Sequence, residues 1–274
     1  MEMTFDEFKP HISFSEFSLL NQCQWRHKLQ YIDGIRPPAA PALYFGSLIH
    51  AILEKIIAKE AYTNEQFEEE FKTLTVKFAQ ELALSENAIY RGKLNKDLDE
   101  GYVKSMLRGG TALLDVLRDF NWSDYETIDT EIEVYEDLIE GKKFKGYIDW
   151  VYKKDGIYYI ADFKTSKNKW GKWQRTDSNK RKQLYFYKYF FAKTNNIPLD
   201  KIKIQFIVLS WNIAPNNCIE FVDISSSDRN VKNSVAKLST AAETLLMKKR
   251  MILKNRSSCR FCPFEHTAHC PSGW

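Results

Sequence analysis

The sequence predicts a mixed α/β (α+β) fold, a single domain over residues 1–274, with its sheet in the second half of the chain. Three observations carry that expectation. Apolar residues recur at helical spacing through most of the first 120 residues. From about residue 128 the pattern changes to short alternating runs joined by tight turns. Two further strand-like runs then follow a helix rich in Tyr and Phe. Helices, a β-meander, a helix and more strands in that order indicate an α+β or mixed α/β fold with the sheet in the second half.

Taken in order, SFSEFSLLNQCQWRHKLQY (13–31) reads as one helix that Ser13 or Ser15 can cap. The Pro-rich stretch from Pro37 to Pro41 must be irregular. Helical periodicity resumes at Leu43, and residues 51–127 read as a helical insertion, with breaks expected near 85–93 and at Gly109-Gly110. TEIEVYEDLIE, KFKGYIDWVYKK and IYYIADFKTS are three strands, turning at Gly141 and at Asp155-Gly156, and open a sheet core over 128–225. Residues 165–180 form a basic loop, 180–194 a helix, and KIKIQFIVLSW and CIEFVDIS two more strands. A helix over about 226–253 leads into a Cys/His-rich tail, 255–274, expected to pack on the 13–31 helix.

Composition narrows the class. With 44% hydrophobic residues, the chain can bury a core without disulfides. MEMTFDEFKPH lacks the apolar run of a signal peptide, and no stretch approaches the roughly 20 apolar residues of a membrane helix. The expectation is a soluble, cytoplasmic protein whose five cysteines stay reduced. A net charge of +4 hints only mildly at an acidic partner. No GxxxxGK[ST] loop is present, which argues against a nucleotide-driven motor.

The meander carries the chemistry. Asp149 lies mid-strand among apolar and aromatic neighbours, and Asp162 and Lys164, two apart, share one strand face while Phe163 points into packing. Two carboxylates with an ammonium beside one of them are costly to bury without a use. Such carboxylates hold a hard divalent cation, and the lysine orients or activates an attacking water. A surface ion pair at a sheet edge would explain a DxK alone. It is accompanied, however, by Gln183 and Tyr187, four apart on one helix face, and by Gly46 and His50 on the helix after the Pro-rich segment. From Lys164 to Lys182, eight Lys/Arg against Asp177, with Trp170 and Trp173 interleaved, suit a funnel for a nucleic-acid strand better than a solvated surface.

In this order, GxxxH (Gly46–His50), GxxD (Gly146–Asp149), DxK (Asp162–Lys164) and QxxxY (Gln183–Tyr187) resemble the RecB-like branch of the PD-(D/E)xK nucleases, over residues 13 to about 270. That branch includes the nuclease domains of RecB and AddB and the CRISPR-adaptation nucleases. The resemblance implies a restriction-endonuclease-like catalytic core and hydrolysis of DNA from an end, with single-strand preference. It implies Mg²⁺ or Mn²⁺ on His50, Asp149, Asp162 and the Phe163 backbone carbonyl. Lys164 would position the water and stabilise charge on the phosphate, while Gln183 and Tyr187 orient Lys164 and the strand. DNA contacts are expected from Lys167, Lys169, Trp170, Lys172, Trp173 and Arg175. Protein partners of a recombination or CRISPR-adaptation complex are also implied. A catalytically idle DNA-binding or scaffold subunit keeping the same fold is the alternative.

Cys259, Cys262 and Cys270 with the distant Cys23 resemble the [4Fe–4S] arrangement of AddB and the CRISPR-adaptation nucleases. The tail holds only Phe261, Phe264 and Trp274 as large apolar residues, too few to dock by apolar burial alone. His266 and His269 lie within the last, longer spacing, so a Zn²⁺ site of Cys and His stays open as a rival. Cys218 reads as an ordinary thiol.

Overall fold

Six strands form one mixed sheet: β1 (His11–Ser13), β2 (Glu126–Ile139), β3 (Lys142–Lys154), β4 (Ile157–Ser166), β5 (Ile202–Ser210) and β6 (Ile219–Ile224). They are seen in a computed structural model that describes residues 9–37, 40–84, 99–214, 217–247 and 252–271, without the side chains of 260 and 261. β2, β3 and β4 are an antiparallel meander. Its two turns place Gly141 (φ 76), Asp155 (φ 51) and Gly156 (φ 75) in the left-handed region that tight hairpins require. β5 runs parallel to β4 and antiparallel to β6, and β1 runs parallel to β3.

Helices cover both faces. On one lie α1 (Phe14–Gln22), α7 (Ser178–Asn195) and α8 (Asp228–Leu246), whose Phe17, Phe186, Phe190 and Leu238 pack on Ile204, Phe206 and Val208. On the other lie α3 (Pro41–Ile57), α4 (Asn64–Ala83) and α5 (Glu100–Asp119), whose Phe45, Ile49, Phe67 and Leu114 pack on Ile207 and Leu209. The alternation along β5 is the period of two that a doubly covered strand must show. Two short helices complete the described set: α2 (Gln24–His27), which follows α1, and α6 (Lys172–Thr176), which buries none of its residues.

Several local expectations need correction. The 13–31 segment is not one helix. Ser13 does cap α1, accepting from the Glu16 N–H at 3.2 Å, but Cys23 takes an extended conformation (φ −160) that interrupts the helix before α2 and a π-turn at Lys28–Ile32. Gly109-Gly110 do not break α5, because side chains there would clash with Trp211 and Phe67; the pair lets a straight helix come close. The basic segment is not all loop, since β4 extends to Ser166 and α6 and α7 begin at Lys172 and Ser178. The insertion boundary at 51 falls inside α3, whose Ile49, Ile52 and Leu53 form one buried face. The last helix stops at Leu246 rather than near 253. The break expected at 85–93 and Trp274 lie outside the described residues, as does the Phe261 side chain. Among the described residues no helix is long and apolar enough to cross a membrane.

Candidate active site

β3 shares one edge with β2 along almost its whole length. Its other edge is divided: β4 takes Trp150–Lys154 and β1 takes Lys143–Lys145. Gly146–Asp149 therefore have no strand neighbour on that side, and β3 and β4 part there. Phe144 and Ile148 pack in one core layer, Trp150 and Tyr152 in the other, although four even-numbered residues of a regular strand would share a face. The switch coincides with Glu131, which has φ 50 and lies opposite Asp149 between the pairs Thr130–Trp150 and Ile132–Ile148, with the register unchanged across it.

At this split the carboxylate replaces the missing ladder bond. Asp149 Oδ2 accepts the Phe163 N–H at 2.6 Å. His50, on α3, places Nδ1 3.7 Å from the same oxygen and its ring edge-on to Phe163. On β4, the buried Asp162 carboxylate meets the Lys164 ammonium through Oδ2. Lys164 Nζ donates to Gln183 Oε1 (3.3 Å), and Gln183 Nε2 donates to Tyr187 Oη (3.1 Å), both from α7. The two motif glycines allow close approach. A Cβ at Gly46 would meet Thr165 Oγ1 at 2.8 Å, and one at Gly146 would meet Tyr187 Cε1 at 2.8 Å.

The electrostatics follow from burial. Desolvation, then the neighbouring Asp162 charge, pushes Asp149 well above the ordinary carboxylate range. Burial also raises Asp162, against the pull of Lys164. Burial and then the Lys164 charge lower His50 to about 4, so its ring is neutral, the form that ligates metals. The Tyr187 phenol is raised by burial and by Asp162 and stays protonated.

A sequence model of the PD-(D/E)XK nuclease superfamily matches residues 11–270. The chain belongs to that superfamily. No curated protein matches the sequence. Among solved structures, a candidate exonuclease from Eubacterium rectale is 12% identical, with 92% of this chain and 86% of that one covered and a TM-score of 0.56. At that identity the likeness shows the fold alone, a restriction-endonuclease-like mixed sheet flanked by helices. SSO0001 is 18% identical over 91% of this chain and 93% of that one, at a TM-score of 0.35.

As a PD-(D/E)XK nuclease, the chain brings His50, Asp149, Asp162, Lys164, Gln183 and Tyr187 to one place. Two acids escape a reading of the sequence. Glu54 lies one helical turn beyond His50; burial and then the Glu131 carboxylate raise it to about 7. The GxxxHxxxE spacing could have flagged Glu54. Nothing in the sequence marks the backbone of Glu131.

The expected DNA-binding loop divides. Trp170 is not available for base stacking: it is 6% exposed, in the core against Phe206 with the Lys180 ammonium over its ring, because the α6 turn folds its indole inward. Trp173, three residues on, is 82% exposed. Lys167 lies over the rings of Tyr102 and Trp211, Lys169 donates to Asn217, and Arg175 pairs with Glu220 at 2.5 Å. Lys172 points outward with Trp173.

Cys23, Cys259, Cys262 and Cys270 line one cavity of about 320 Å³ together with Trp25, Arg26 and Phe264, and none is in a disulfide. Hydrogen bonds tie the tail down more than its composition suggests. Ser258 Oγ and Asn255 Nδ2 donate to the Gln22 carbonyl, Leu253 N–H to Gln24, Trp25 N–H to the Leu253 carbonyl and Trp25 Nε1 to the His269 carbonyl. Neither His266 nor His269 lines the cavity. Among the described residues no three His, Cys, Asp or Glu side chains form a group ready for a single ion, here or at the split. Cys218 is buried in the second core layer.

Proposed function

We propose that the chain is a Mg²⁺- or Mn²⁺-dependent deoxyribonuclease that degrades DNA from an end and prefers single strands. The observation that carries the reading is the connected set His50–Asp149–Phe163 and Asp162–Lys164–Gln183–Tyr187 around the split between β3 and β4. These residues fit a cation, since two carboxylates stand close together where burial disfavours their charge, with a neutral imidazole beside one of them. His50, Asp149, Asp162 and the Phe163 carbonyl would hold the ion. When bound, it would supply a Lewis acid for the phosphodiester and lower the pKa of water. Lys164 offers the scissile phosphate an ammonium, and Gln183, steadied by Tyr187, keeps that ammonium in place. The idle-subunit alternative has no missing residue to favour it.

The cysteine cavity supports a [4Fe–4S] reading over Zn²⁺. All four cysteines line it and neither histidine does, which suits an all-thiolate cluster better than a mixed Cys/His zinc site. Cysteines kept as thiols suit an intracellular setting. Partners in recombination or CRISPR adaptation follow from the family resemblance.

The test is cleavage of single- and double-stranded oligonucleotides labelled at either end, with Mg²⁺, Mn²⁺ or EDTA. The reading expects metal-dependent shortening from one end, faster on single strands. Undiminished cleavage in EDTA, or no cleavage with either metal, would remove it.

A further inference from the structure

We propose that the groove between α1, α8 and the C-terminal tail binds phosphates of a nucleic-acid strand, with Lys182 and Lys237 as its paired cations. The inference rests on the reading of the chain as a DNA nuclease and assigns its substrate a second binding surface outside the split. The groove has a volume of about 810 Å³. Lys182 comes from α7, Asn233 and Lys237 from α8, and Lys254 from the tail, and among the described residues no Asp or Glu lines it.

Two features set this apart from a solvated lysine surface. First, Lys182 and Lys237 come from different helices and line the same groove, and among the described residues neither makes a salt bridge. The Lys182 ammonium lies over the Phe17 ring, its stem half-buried. Two lysines facing one groove repel each other, and an anion between them would reverse that. Burial and then the Lys237 charge lower the Lys182 pKa, with Asp177 at the start of α7 opposing. By contrast, Lys143, Lys145, Lys164 and Arg175 each have a carboxylate partner.

The second feature is position. Lys182 immediately precedes Gln183, whose side chain holds Lys164 at 3.3 Å. Successive residues of a helix point about 100° apart. One turn of α7 thus serves the catalytic lysine on one side and presents Lys182 to the groove on another. A strand passing over that turn would lie in the split and in the groove at once. The repeating charge of a phosphate backbone matches spaced lysines, and the carboxamide of Asn233 adds a neutral donor.

The test is binding of a fluorescent single-stranded oligonucleotide to the full chain in EDTA, so that no cleavage intervenes, across a salt series. Lys182→Gln/Lys237→Gln should weaken binding by about tenfold at low salt and flatten the plot of log K against log salt by about 1.4, at ~0.7 for each phosphate that is no longer neutralised. Asn233→Asp, on the exposed side of α8, guards against a folding artefact. It places a carboxylate one turn before Lys237 and should also weaken binding while leaving the melting midpoint unchanged. Both variants retaining wild-type affinity and salt slope would overturn the groove. The two readings fail separately, because an oligonucleotide bound but never cut removes the nuclease while the variants still report on the groove.

Discussion

The split between β3 and β4 and the cysteine cavity are both gatherings of ionisable side chains, built in opposite ways. At the split each polar group is fixed by another: Asp149 by the Phe163 N–H, Lys164 by Gln183, Gln183 by Tyr187. The elements that carry them are clamped between two apolar layers. Around the cavity, three of the four cysteines sit on a tail whose described residues bury one large apolar side chain, Phe264, and which hydrogen bonds tie to Gln22, Gln24 and Trp25. At the split the polar groups already hold one another. The cavity stands to gain most of its rigidity from what fills it.

The largest expected effect follows from the first half of that contrast. Asp162→Asn and Lys164→Ala should each slow cleavage by on the order of 10³-fold while leaving a cooperative fold. Asp162→Asn should not lower the melting midpoint, because it removes a buried carboxylate that desolvation already disfavours. Cleavage assays with thermal melts check both, and a variant that loses activity by unfolding would break the comparison.

Next come the two tryptophans. Trp170→Ala should cost about 3–5 kcal/mol of stability, as a large core side chain does. Trp173→Ala should cost less than about 0.5 kcal/mol of stability yet weaken single-strand binding by ~1–3 kcal/mol. Denaturation and binding titrations separate them, and equal stability losses would show that Trp173 packs as Trp170 does.

Cys23→Ser sharpens the second half. It should lower the melting midpoint of protein purified anaerobically with its cavity filled, but change the chelator-stripped chain by no more than about 0.5 kcal/mol. Equal effects in both states would mean that the tail holds by its hydrogen bonds alone.

The smallest effect concerns Glu54. Its folded pKa of about 7 lies above the ordinary 4.5, so the folded chain binds the extra proton between those values. Stability from this group therefore falls as pH rises through 7. Glu54→Gln should match wild type near pH 4.5 and melt about 2 °C higher at pH 8, a modest figure because the group is only half-buried and solvent screens it. No gain at pH 8 would remove the Glu54–Glu131 repulsion.

Much of the site was legible because strand and helix periods are local. Asp162 and Lys164 share a face by the period of two, and Gln183 and Tyr187 meet by the period of four. The Asp155-Gly156 turn was equally plain. What escaped depends on distant partners. β1 is three residues long and exists only because β3 has a vacant edge at Lys143–Lys145. Gly109-Gly110 looked like a break because glycine weakens helices, but Trp211 and Phe67 need the space. Trp170 and Trp173 are the same residue type in the same basic stretch, and only the fold turns one inward. The interruption at Cys23 sits inside an otherwise helical pattern.

The central claim is that the split takes a divalent cation, and Mn²⁺-dependent melting of the wild-type chain beside Asp162→Asn, without DNA, tests it most directly. The account predicts a wild-type midpoint that climbs with Mn²⁺, as for any ligand that binds only the folded state, and a much smaller climb in Asp162→Asn. Identical curves for the two proteins, or no response to Mn²⁺ in either, would contradict it.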